Sequence, residues 1–451
     1  MHMRHGCLVT GLLLACSSSS SPEPSGVTAT LEKRLRGDRT GACVALALIE
    51  AGQSERGIVC AGDQRKIDDD TAFEIGSISK TMTGFLVASA IQEGKLSLED
   101  PLSKFVPMGT VVPSLAGQAI TLKHLVTHTA GLPSLPSRWM PADPNDPYAD
   151  LSEAQLFESL SDIELESPPG THWAYSNYGF MLLSYIVTTQ AGLELDALLK
   201  QRLFAPLAMR AFVDERPASV RDATGHLGTG IATEPWTFPP KLGGAGAVHA
   251  TLDDMIQYAH AALGGGDPST VSLVGRAMEA VARPSDGPVM GLGWIHSQVG
   301  PHALVLHDGG TGGFSSFIAV EPDSGRGVVA LSDTTLVNTG GLTELALHVL
   351  LPDAVPPDLP RKVATPSSDL LNELVGRYTL DGLGVELRTR DGKLFIQADG
   401  QVEVQLGYDS YGDFFPTALV DALLTPVRSD GSPTTFDWKQ GGGVARAERV
   451  P

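Results

Sequence analysis

Two groups of strand-like segments stand far apart in the chain, and that separation constrains its fold more than any other feature. "CVALALIE" and "RGIVCAG", joined by "AGQSE" within residues 42–62, form the first group. "GLGWIHSQV", "HALVLHDGG" and "FSSFIAVEPDSGRGVVALSD", within residues 291–333, form the second, the last segment folding back at a tight "PDSGRG" turn. Between them lie helical patterns and Pro/Gly loops. "YGFMLLSYIVTTQAG" stops at Gly192, and "ATLDDMIQYAHAALGGG" has a Thr251 cap and a glycine stop. "PSRWMPADPNDPYAD" is too rich in proline for regular structure. If the two strand groups build one sheet, the helical middle is an insertion across it. The expected fold is α+β, with a site at the seam.

Past the second group, a Pro-rich break, "LPDAVPPDLPRKVATP", precedes "GVELRTRDGKLFIQADG", whose apolar and polar residues alternate on both sides of Asp391-Gly392. Residues 31–352 are thus expected to form the main domain, 353–368 a linker and 369–451 a small all-β domain. At the other end, "MHMRHGCLVTGLLLACSSSS" has a basic residue, an apolar run too short to span a bilayer, and small residues before a serine tract. Residues 1–16 read as a secretory signal and 17–30 as a Ser/Pro linker. "LLAC" resembles a bacterial lipoprotein signal, which implies lipidation of Cys16, a periplasmic location and, with Ser17 following, the outer membrane. An ordinary cleaved signal with an incidental cysteine is the alternative. Cys43 and Cys60 then remain in the mature chain on facing strands, either as a disulfide or as two separately buried thiols.

In "FEIGSISKTMTGFLVASAIQEGKL", residues 73–96, Lys80 sits one helical turn after Ser77 amid Ile78, Met82, Phe85 and Leu86. Burial favours the neutral amine, which can take the proton of Ser77 and make it a nucleophile. The helix start adds backbone N–H groups for an oxyanion. The pair alone is weak evidence, since Ser77 could equally cap the helix while Lys80 reaches solvent. Two further stretches add weight. In "PPGTHWAYSNYGF", the phenol of Tyr175 is expected to lose its proton more readily beside a cation and to shuttle protons, with Asn177 holding Lys80 and a substrate carbonyl. In "LHDGGTGGFSS", His307 ends a strand and the glycines would let a substrate backbone lie close.

These three ordered elements, flanked by "LSLEDPLSKFVP", "ITLKHLVTHTAGLP", "GGAGAVHATLDDMIQYA" and "GLGW", make residues 30–350 resemble the serine β-lactamase and penicillin-binding protein superfamily, nearest its class C, esterase and D-peptidase branch. The resemblance implies an antiparallel sheet flanked by helices plus an all-helical lobe. It assigns an acyl-enzyme on Ser77, general acid–base work to Lys80 and Tyr175, and substrate contacts to Asn177, His307, Gly309 and Gly310. The oxyanion hole would be the N–H groups of Ser77 and Gly310, with no metal or cofactor. "HDG" stands where true class C β-lactamases carry Lys-Thr-Gly, so a titratable imidazole replaces a fixed cation. Esters or D-amino-acid peptides and amides are therefore expected ahead of efficient β-lactam hydrolysis, with small-molecule or peptidoglycan-derived substrates.

Other readings compete. A tethered penicillin-binding sensor would keep the fold with little turnover. Zinc on His124 and His128 would require both on one helix face, yet no Glu follows His124 as in His-Glu-x-x-His. A Gly-x-Ser-x-Gly elbow is absent. The formal charge of −20 repels nucleic acid.

Overall fold

The computed structural model describes residues 26–336, 339–418, 422–428, 434–440 and 443–450. The signal segment 1–16, and with it Cys16, lies outside them. The two strand groups do join in one sheet. Its order is Val289–Met290, Ile295–Val299, His302–Gly310, Ser315–Glu321, Arg326–Ser332, Cys43–Glu50, Gln53–Cys60, with every neighbour antiparallel. Strand Cys43–Glu50 reads as one apolar run because both its faces are buried. Ala45, Ala47 and Ile49 point into the large core shared with the helical lobe. Val44 and Leu46 point the other way, under helices Val27–Leu35 and Leu342–Leu350. The first of these helices starts inside the stretch read as a linker to residue 30, because Val27 and Leu31 are buried against the sheet.

Helix Ser79–Gln92 runs through the main core, packed by helices Asn177–Ala191 and Pro268–Met278. Of residues 73–96, the helix takes only Ser79–Gln92. Phe73 and Glu74 end strand Thr71–Glu74, and Ser77 lies in a tight 3-10 turn, Gly76–Ile78, that feeds the helix. Asn177–Ala191 is capped by Ser176, whose Oγ accepts from Gly179 N, and ends at Gly192 with φ +68°.

The C-terminal strands form a second antiparallel sheet that nearly closes on itself. Residues 443–449 lie between its two edges, pairing with Thr435–Gln440 on one side and Gly376–Leu380 on the other. Asp391 and Gly392 make the expected hairpin turn, with φ +52° and +71°. Helix Ser368–Leu374 plugs one end of the barrel with Leu370, Leu371 and Leu374.

Cys43 and Cys60 face one another across the first hairpin and form a disulfide, closing a separation of 17 residues. Cys60→Ser is expected to lower stability by about 3 kcal/mol, the loop-closure value for that length. Chemical denaturation with and without reductant checks this, and the variant should show no further loss on reduction.

Candidate active site

The 3-10 turn carries Ser77 against the end of strand His302–Gly310, and glycine is required on both sides of that contact. A Cβ on Gly76 would sit 2.7 Å from the backbone of Gly310, and one on Gly309 would sit 2.1 Å from Ile75 O. Ser77 and Gly310 consequently border one cleft, together with Asn177, Ala245, Gly246 and Thr311. Its outer wall is aromatic: Tyr148 stacks on Phe238 at 4.6 Å and meets Trp236 edge-on at 5.3 Å.

Two groups converge on Ser77 Oγ. Lys80 Nζ lies 2.8 Å away, and the Tyr175 hydroxyl donates to the same oxygen at 2.8 Å. Lys80 is wholly buried, and its second contact is a hydrogen bond donated to Ala245 O at 2.7 Å. Among the described residues no carboxylate bonds it. Burial therefore lowers its pKa from 10.5 to about 7, against an upward pull from Asp308. With Tyr175 donating to Ser77, Lys80 is the neighbour whose lone pair can face the hydroxyl once the amine is neutral.

Tyr175 departs from expectation. Burial raises its pKa above that of a free phenol, outweighing the hydrogen bond with Ser77. The sequence argument needed a charged lysine to acidify it, whereas the same burial neutralises the lysine. Tyr175 is consequently a standing proton donor. Asn177 begins its helix and lines the cleft, but its amide does not hold Lys80, whose partners are Ser77 and Ala245.

The glycine loop also differs from its expected role. Gly309 packs on Ile75, Gly312 on Trp236, and Gly313 on Gly225 and Thr233, so of these glycines only Gly310 reaches the cleft. His307 is buried behind it, and its Nδ1 donates to Asp308 O at 2.5 Å. Burial depresses its pKa to about 4, leaving a neutral ring whose buried Nε2 has no hydrogen-bond partner among the described residues.

His128 is a site residue that sequence reasoning considered only as a zinc ligand. Helix Leu122–Val126 ends before it, and His128 takes a left-handed conformation at φ +58°, so it does not share a helix face with His124. Its carbonyl accepts from Ala174 N at 2.8 Å and its Nδ1 from Ser176 N at 3.0 Å. Its ring stacks on Tyr175 at 4.5 Å. The residues on both sides of Tyr175 are thus tied to His128. His128→Ala should lower kcat about 10- to 100-fold with KM nearly unchanged, because a buried N–H is orphaned and the phenol drifts. His128→Asn, which tolerates positive φ and keeps an acceptor, should recover most of the loss.

The fold agrees with the comparisons to known proteins. The chain is 27% identical over 287 residues to the D-alanyl-D-alanine-carboxypeptidase/endopeptidase AmpH of Escherichia coli, covering 57% of this chain and 70% of that one. It is 27% identical over 351 residues to penicillin-binding protein 4 of Amycolatopsis lactamdurans, covering 72% and 89%. The crystal structure of a β-lactamase/D-alanine carboxypeptidase from Yersinia pestis, complexed with citrate, superposes with a TM-score of 0.54 at 25% identity, over 66% of this chain and 88% of that one. Residues 28–350 match the Beta-lactamase family, and the chain belongs to that family of serine acyl-enzyme hydrolases.

Proposed function

We propose that this protein hydrolyses short esters and D-amino-acid amides or peptides through an acyl-enzyme on Ser77, with β-lactams as poorer substrates. The observation that carries the reading is the convergence of Lys80 and Tyr175 on Ser77 Oγ, each at 2.8 Å, with no carboxylate bonded to the lysine among the described residues. Lys80 takes the serine proton as Oγ attacks the carbonyl. The backbone N–H groups of Ser77 and Gly310 receive the oxyanion. Tyr175 O–H hands its proton to the leaving group and is reprotonated from Lys80, and a water repeats the sequence to release the acid. The substrate preference rests on His307. Held neutral and buried behind Gly310, it supplies no cation for a carboxylate next to the scissile bond. Trp236 and Phe238 also border an adjoining cavity of about 580 Å³, room for the acyl or leaving group.

The proposed setting is the bacterial cell envelope, with the chain anchored by lipid on Cys16. No helix among the described residues is long and apolar enough to cross a membrane. Incubation with a fluorophosphonate should add one adduct, on the peptide containing Ser77. A panel of p-nitrophenyl esters, D-alanine p-nitroanilide, a D-Ala-D-Ala peptide and nitrocefin should then rank esters first and nitrocefin last. Absence of the adduct would overturn the enzyme reading, and an adduct without turnover of any panel member would leave a penicillin-binding sensor.

A further inference from the structure

We propose that the C-terminal barrel is a binding site for the aliphatic chain of an uncharged or amine-bearing amphiphile. Inward positions along each strand tell its two halves apart. Near the plugging helix the interior is filled by Tyr378, Leu387, Leu394, Leu406, Phe414 and Phe436. Two residues further along the same faces, Leu380, Val385, Ile396, Val404, Pro416 and Trp438 line a cavity of about 580 Å³. That volume lies in the range of small-molecule pockets, and the mouth of a small barrel is a usual place for one.

The cup opens away from the rest of the protein. The turn Asp409–Asp413, which docks on the main domain, follows strand Val404–Tyr408, whereas the cavity is bounded near the opposite ends of the strands by Asp381, Leu383, Gln401, Val402 and Val444. Three aliphatic side chains project at this mouth: Leu383, Val402 and Val444 are 41%, 68% and 64% exposed. Single exposed aliphatics are ordinary, but three around one apolar cavity mark an entry for apolar ligand. The polar groups there are Asp381, Gln401 and Gln440, the last accepting from Trp438 Nε1 at 3.0 Å. Two amides suit a hydroxyl or amine head. Asp381 and the formal charge of −20 disfavour a carboxylate or phosphate. The chain of the ligand would lie against Ile396, Val404 and Trp438, with its head at the mouth.

The test is titration of the full-length protein with N-phenyl-1-naphthylamine, an uncharged dye that fluoresces in apolar surroundings. Saturable enhancement at one site is expected, with energy transfer from tryptophan that falls in Trp438→Phe. Decanol and decylamine should displace the dye at least tenfold better than decanoate. Ala398→Trp, which fills the cup, and Val444→Asp, on the exposed rim, should each weaken dye binding at least tenfold and leave fluorophosphonate labelling of Ser77 unchanged. If Ala398→Trp does not fold, Val444→Asp decides. No saturable enhancement, or wild-type binding in the folded variants, would overturn the site; displacement by decanoate as good as by decanol would overturn the head-group assignment.

Discussion

Ser77→Ala and Lys80→Met are each expected to cut turnover of a p-nitrophenyl ester about 10,000-fold, and the double variant to lose no more than either alone. On the proposed mechanism Ser77 carries the acyl group and Lys80 accepts the serine proton, since Tyr175 is itself a donor to Ser77. Groups that act on one proton in one step lose their effects together. About 10,000-fold corresponds to roughly 5.5 kcal/mol of transition-state stabilisation, in keeping with removal of a base and nucleophile from a site that still binds substrate. Additive losses would show that Lys80 works elsewhere.

The pH dependence follows from the same lysine. Its neutral, active form accumulates as pH rises through about 7, so kcat/KM should climb below that value and level off above it. Lys80→Arg should remain inactive across the range, because guanidinium cannot deprotonate. Stability moves in the same direction. The unfolded lysine keeps its proton up to about 10.5, whereas the folded one gives it up near 7, so between those values the unfolded state binds more protons and stability increases with pH. Below about 7 both states are protonated and the full burial penalty remains, up to roughly 5 kcal/mol. Lys80→Met should therefore raise the midpoint of denaturation at pH 6 while abolishing activity, and the gain should shrink toward pH 10. Loss of stability at pH 6 would mean that the charged amine is better solvated than its contacts with Ser77 and Ala245 allow.

Much of this was legible because it depends on residue type and spacing. Two apolar strand groups could bury their faces by sharing a sheet, and Asp391-Gly392 between alternating runs favoured a turn. Ser77, Lys80 and Tyr175 carry side-chain chemistry that a motif preserves. What was not legible depends on backbone atoms and on direction. Ala245 holds Lys80 through its carbonyl, which every residue has. His128 acts through a carbonyl, an unusual φ and one ring nitrogen. The glycines of "HDGGTGG" suggested room for substrate, yet most of the space is taken by Ile75, Trp236 and Gly225. Tyr175 was misjudged in sign because the charge invoked to acidify it is removed by the burial that makes Lys80 a base.

Breaking the charge cluster between main domain and barrel is expected to give the largest loss of stability, about 3–5 kcal/mol for Arg361→Met. Arg361 lies in the stretch read as a linker, but it is 9% exposed. Its Nη1 donates to Asp409 at 3.0 Å and to Asp413 at 2.8 Å, and its Nε to Thr339 O at 2.9 Å. Arg39 reaches the same Asp409 oxygen at 3.1 Å from the main domain, stacking on Phe415 at 3.7 Å. Two carboxylates are thus neutralised by two guanidiniums in a largely buried place. Methionine keeps the apolar stem and removes the charge, leaving Asp413 buried without its cation. The barrel should then melt before the main domain, splitting one calorimetric transition into two, while fluorophosphonate labelling of Ser77 persists through the first. The energy lies in the unpaired charge rather than in the pair. Adding Arg39→Met, Asp409→Leu and Asp413→Leu to Arg361→Met should therefore restore most of the stability. If the fourfold variant is as unstable as Arg361→Met, these bonds contribute through geometry that apolar packing does not replace, and the docking of the barrel depends on their direction as well as their charge.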